Sequence, residues 1–87
     1  MSLTYAYSPE APPKQEPPPR RAEVLAFIKG EIAQGRPFPS PDAIRVHMGW
    51  RKTGSVSHAL EALRSIDGQV RIKGGRWARP RVWELVD

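Results

Sequence analysis

The chain has 87 residues, with ten prolines, seven glycines and no cysteine; 14 lysines and arginines stand against 9 aspartates and glutamates, a formal charge of +5. That length holds one small domain, and the absence of cysteine excludes a disulfide framework, a thiolate zinc site, an iron–sulfur cluster and a thiol nucleophile. No apolar run approaches the roughly 20 residues of a membrane span, and Met1 to Tyr7 offers neither a charged n-region nor an apolar h-region, so a soluble, cytoplasmic protein without a membrane partner is expected.

Residues 9–19 contain six prolines in eleven positions. Proline lacks the N–H and clashes with the preceding turn, so this stretch reads as a disordered or polyproline-II tail spanning residues 1–19. Such a tail can also serve as a docking peptide for a protein partner. Residues 20–87 carry 13 basic and 7 acidic side chains, so the positive charge belongs to the domain. Excess positive charge favours an anionic partner, nucleic acid first.

The first helix is expected over residues 20–34. Val24, Leu25, Ile28 and Ile32 share one face, while Glu23, Lys29 and Gln34 fall away from it. Gly35 is placed to close the helix, and Pro37 and Pro39 prevent its continuation. Ser40-Pro41 is a helix start, because serine caps well and proline suits the first helical position. This second helix is short, 41–48, with Ala43, Ile44 and Met48 expected inside and Gly49 at its end. Trp50 is expected in the core.

Arg51 to Gly54 reads as a short basic connector, and Ser55 to Ile66 as the third helix. Val56, Ala59, Leu60, Leu63 and Ile66 form a stripe about 120° wide. Ser57, His58, Glu61 and Ser65 lie opposite. Asp67-Gly68 breaks the helix. Val70 and Ile72 alternate with Arg71 and Lys73 as a half-buried strand, and Val82, Trp83 and Leu85 supply its return. The expected architecture is α+β: three helices followed by a two-stranded β-hairpin. A short helix joined tightly to a third is a helix-turn-helix, and the trailing hairpin is then a wing, which makes a winged helix-turn-helix.

One run carries a family resemblance: Arg20, Glu23-Val24, Ile28, Ile32, Gln34, Pro39-Ser40, Ile44, Met48-Gly49-Trp50-Arg51, Leu60 and Leu63. It resembles the N-terminal DNA-binding domain of LexA-type SOS repressors, whose pattern Ile-x-x-x-Leu-Gly-Phe-Arg is answered here by Ile44, Met48, Gly49, Trp50 and Arg51. The resemblance implies a winged helix that binds double-stranded DNA, and it places Lys52, Ser55, Ser57 and His58 in the base-contacting stretch. The family carries acidic residues where this chain has Ser57 and His58, so a different base preference is expected. Its repressors also bear a second domain that cleaves itself with a Ser–Lys pair. Nothing in these residues supplies that pair, and self-cleavage is not expected.

An exposed helix face fits the major groove, where lysine donates to guanine and serine or histidine to several bases. Backbone contacts are expected from Arg45, Arg51 and Thr53 around the turn. Arg71, Lys73, Arg76, Arg79 and Arg81, in a stretch without an acid, supply them from the wing. Trp77 at the wing tip either folds back on the core or presses on a sugar, a base or a protein. No enzyme is expected: His47 and His58 lack metal-ligand spacing, and no nucleophile–base set, phosphate loop or paired carboxylates assemble, so neither cofactor nor metal is implied. The reading is a small sequence-specific transcriptional regulator. The alternatives are a protein–protein interaction module using Trp77 and the tail, and a nucleic-acid accessory factor without base selectivity. No heptad supports a strong free dimer, so a monomer is expected in solution, with dimerisation on DNA as the way to add contacts.

Overall fold

A computed structural model describes residues 13–75, 77 and 79–86. The elements are α1 (Pro19–Ala33), α2 (Pro41–Met48), α3 (Thr53–Ser65), β1 (Val70–Ile72) and β2 (Trp83–Leu85), the strands forming one antiparallel hairpin. The architecture is therefore α+β. Among the described residues, no helix is long and apolar enough to cross a membrane.

The helix ends follow from local chemistry. α1 starts with proline at its first position, where a missing N–H costs nothing. It ends in a Schellman arrangement: Gly35 at φ 81° donates to the Ile32 carbonyl, and Arg36 donates to that of Glu31. At α2, the Ser40 hydroxyl accepts from Ala43 N–H at 3.1 Å, and Gly49 at φ 74° closes the helix. The Trp50 N–H then donates to the Arg45 carbonyl at 3.0 Å. These bonds make the α2–α3 turn tight.

Val24, Leu25 and Ile28 of α1, Ile44 and Met48 of α2, and Val56, Ala59, Leu60 and Leu63 of α3 form one buried cluster that Val70 of β1 joins. Phe27, Phe38, Trp50, Trp83 and Leu85 pack around it, partly buried. Each fully buried aliphatic side chain contributes about 1.5 to 3 kcal/mol, and these interlocking stripes hold α3 in place. The hairpin pairs Val70 with Leu85, Arg71 with Glu84 and Ile72 with Trp83, so β1 lays Val70 and Ile72 on the core and turns Arg71 to solvent.

Several expectations need correction. α3 begins at Thr53, two residues before the expected Ser55, so the connector shrinks and Gly54 is helical. Ala43 is exposed because it sits about 100° from Ile44 around α2. Ile32 lies on the expected stripe of α1 but in its last turn, outside the buried cluster, and is exposed. Ile66 is 54% exposed, since α3 has ended one residue earlier. Val82 falls just outside β2 and is half exposed. Trp50 flanks the core, half-buried, with the Arg20 guanidinium 5.6 Å from its ring centroid.

The proline-rich stretch differs too. Residues 1–12 lie outside the described residues, but residues 13–18, neither helix nor strand, touch the domain through Lys14, Gln15 and Pro17. Gln15 N–H donates to the Asp67 carbonyl at 2.8 Å, and the Gln69 side-chain amide donates to the Gln15 carbonyl at 2.6 Å. Lys14 Nζ reaches the Val86 carbonyl, and Pro17 is buried. Beneath this strap, Arg21 grips the buried Asp67 carboxylate with Nε and Nη2 at 2.8 and 3.2 Å.

Candidate nucleic-acid interface

The core stripe of α3 fixes which residues it must expose. With Val56, Leu60 and Leu63 inward, the opposite side belongs to Gly54, His58 and Ser65. Ser57 lies on the flank that faces the hairpin. Ser55 lies on the other flank, about 160° away around the axis. His58 sits between the two serines.

The helix entry is polar and open. Lys52 is the N-cap residue and provides no side-chain cap, so α3 begins with N–H groups that no capping side chain covers. Arg51, Lys52, Thr53, Ser55, Ser57 and His58 are all exposed. Among the described residues, their side chains make no hydrogen bond or ion pair.

Across from α3 stands the hairpin. Between them runs a groove of about 600 Å³. Ser57, His58, Glu61 and Arg64 form its helical wall; Ile72, Trp77, Arg81 and Trp83 form the hairpin wall. The groove thus brings two expected base-reading residues, Ser57 and His58, beside two expected wing residues, Trp77 and Arg81. Lys52 and Ser55 lie outside it. Trp77 is 78% exposed.

The expected backbone cations fall into different groups. Lys73 and Arg81 are exposed and unpaired among the described residues, and Arg79 is exposed with contacts inside the protein. Arg71 pairs with Glu84 across the strands. Arg45 is half-buried: its Nε donates to Asp42 at 2.9 Å and its Nη1 to the Trp50 carbonyl at 3.2 Å. Arg45 therefore positions the turn before α3. Arg76 lies outside the described residues.

Sequence reasoning did not single out Glu61 and Arg64 for the groove, although their i, i+3 spacing is a signal for pairing on a helix. The Arg64 guanidinium binds both Glu61 carboxylate oxygens. This hydrogen bonding raises the Arg64 pKa further above its ordinary value, despite the opposing effect of burial. His47 is engaged as well, its ring stacked on Phe27 at 4.1 Å. Among the described residues, no group of three or more His, Asp or Glu side chains could hold a metal.

Comparison with known protein families, with characterised proteins and with solved structures finds no match to this chain.

Proposed function

We propose that this chain is a winged helix-turn-helix module that binds double-stranded DNA, a small sequence-specific regulator similar in plan to the DNA-binding domain of LexA-type repressors. In this reading α3 enters the major groove and the hairpin is the wing. Lys52 donates to guanine at the helix entry, His58 points to the groove floor, and Ser55 and Ser57 reach opposite walls. Arg51 and the first N–H groups of α3 hold a phosphate. Lys73, Arg79 and Arg81, with Arg76 by sequence, hold the flanking backbone. Arg45 and Arg71 contribute through their internal pairs, by orienting the turn and the strands.

The observation that carries this reading is the outward face of α3. Six polar or basic residues from Arg51 to His58, at the entry and on the outer sides of α3, are exposed and make no side-chain hydrogen bond or ion pair among the described residues, while Val56, Ala59, Leu60 and Leu63 are buried. Polar groups kept exposed and unpaired on a rigid element are suited to a polar partner. The unpaired Lys73 and Arg81 point to an anionic one.

Titration of an arbitrary duplex over a range of salt tests it. The expected result is a log–log slope of magnitude about 4 to 7, one phosphate per basic contact. Salt-independent binding, or none at low salt, removes the reading. A protein–protein module is the second reading, favoured by the exposure of Trp77 and of Val46, 78% and 63% respectively. It predicts a complex that salt barely weakens.

A further inference from the structure

The groove between α3 and the hairpin offers more than a cation for a phosphate. Of its two guanidiniums, Arg64 is bound to Glu61, whose carboxylate repels an anion entering beside it, and Arg81 stands on the hairpin side. Apart from Arg81, its hairpin wall is apolar and aromatic, made by Ile72, Trp77 and Trp83. Its helical wall offers the Ser57 hydroxyl and the His58 imidazole, neither with a hydrogen-bond partner among the described residues. A volume of about 600 Å³ falls in the range of sites for small organic groups.

Flat faces, a fixed acceptor and adaptable donors match a neutral heteroaromatic ring. We propose that this groove takes up an unpaired nucleobase from the DNA strand lying along α3. The inference rests on the DNA-binding reading above and deepens it: the preferred partner is a duplex with an unpaired base beside the contacted site. The base stacks on Trp77, whose exposed ring then loses apolar surface to water. Ser57 and His58 hydrogen-bond to its ring acceptors. Glu61, held by Arg64, is the acceptor for an exocyclic amine, a carboxylate offering about four acceptor sites in all. Arg81, at the same groove and unpaired, meets the adjoining phosphate.

The strand supplies the base because the groove is continuous with the outward face of α3. A base tethered to a bound duplex enters at a high local concentration. The acceptor role of Glu61 also sets selectivity. Adenine and cytosine carry an exocyclic amine, whereas thymine presents an oxygen and a methyl group. An unpaired adenine or cytosine is therefore favoured over thymine.

The test compares three labelled duplexes by fluorescence anisotropy: one fully paired, one with a single unpaired adenine, one with a single unpaired thymine. The unpaired adenine is expected to tighten binding about tenfold, the lower end of the worth of one base–aromatic stack. Thymine is expected to gain less. Trp77→Ala erases the adenine gain, and Glu61→Gln narrows the adenine–thymine difference because an amide also donates. Trp77 is exposed, so its replacement leaves the core intact. Equal affinity for paired and unpaired duplexes in the wild type overturns the inference, as does a gain that survives Trp77→Ala. Displacement of the adenine duplex by free deoxyadenosine monophosphate would overturn the tethered base in favour of a free ligand. If the paired duplex binds and the unpaired base adds nothing, only the groove assignment falls. If no duplex binds at any salt, the DNA-binding reading falls and this one with it.

Discussion

Asp67 is 2% exposed and accepts two hydrogen bonds from Arg21 of α1. Its backbone carbonyl also receives the Gln15 N–H, so one residue ties α1, the end of α3 and the strap together. The bond to Asp67 raises the Arg21 pKa above its already high ordinary value, so the cation persists throughout the pH range in which proteins fold. Removing one partner of a buried pair costs about 3 to 5 kcal/mol, and the partial hydration of Arg21 lowers this. Asp67→Ala is therefore expected to cost about 2 to 3 kcal/mol, read from the urea unfolding midpoint. A change within about 0.5 kcal/mol, as for an ordinary surface substitution, would contradict this role. The sequence offered Asp67 only as a helix breaker. Nothing in a helix-ending Asp-Gly indicates that Arg21, 46 positions earlier, returns to it. Ser57 and His58 were legible, because their place outside the apolar stripe of α3 follows from periodicity alone.

At the scale of elements, punctuation decides the boundaries. Ser40-Pro41, Gly49 and Gly35 sit where capping chemistry needs them, and α2 matches its expected bounds. The α2–α3 turn depends on Gly49, whose φ of 74° suits glycine and strains any residue with a Cβ. A Cβ there meets no atom within 4 Å, so the cost of Gly49→Ala is backbone conformation alone. The expected loss is about 1 to 2 kcal/mol, a fall of at least about 4 °C in the melting temperature. An unchanged melting temperature would show that the turn is not held as described. The start of α3 was less legible. Arg51 to Gly54 looks like loop sequence, but Gly54 and Thr53 join the helix because Val56 must meet the core from its first turn. The strap was hidden for another reason. Proline content predicts that residues 13–18 are not helical, and they are not, yet composition says nothing about which carbonyls Gln15 and Lys14 will find.

At the scale of the whole molecule, charge and shape act together. The core turns one face of α3 outward, and the hairpin sets Arg81 in the groove wall and leaves Lys73 exposed at the end of β1. In the proposed complex these cations fix position, and α3 selects bases. The two roles separate by measurement. Arg81→Ala is expected to weaken binding to every duplex alike and to lower the salt slope by about one. An unchanged slope would take Arg81 out of the backbone contacts. The α+β order of three helices and a hairpin was readable from hydrophobic period and turn residues. The groove was not, because it exists only when Ile72 and Trp83, eleven positions apart in the chain, pair and face Ser57.

The central claim is that α3 reads DNA sequence, and a selection from random duplexes, run at low and at physiological salt, addresses it directly. The account predicts one recurring motif at both salts, with about 1 to 3 kcal/mol lost for each wrong base pair, and a shifted motif for the Ser57→Ala, His58→Ala double variant. Recovery of no motif, with all duplexes bound equally and released together by salt, would contradict it.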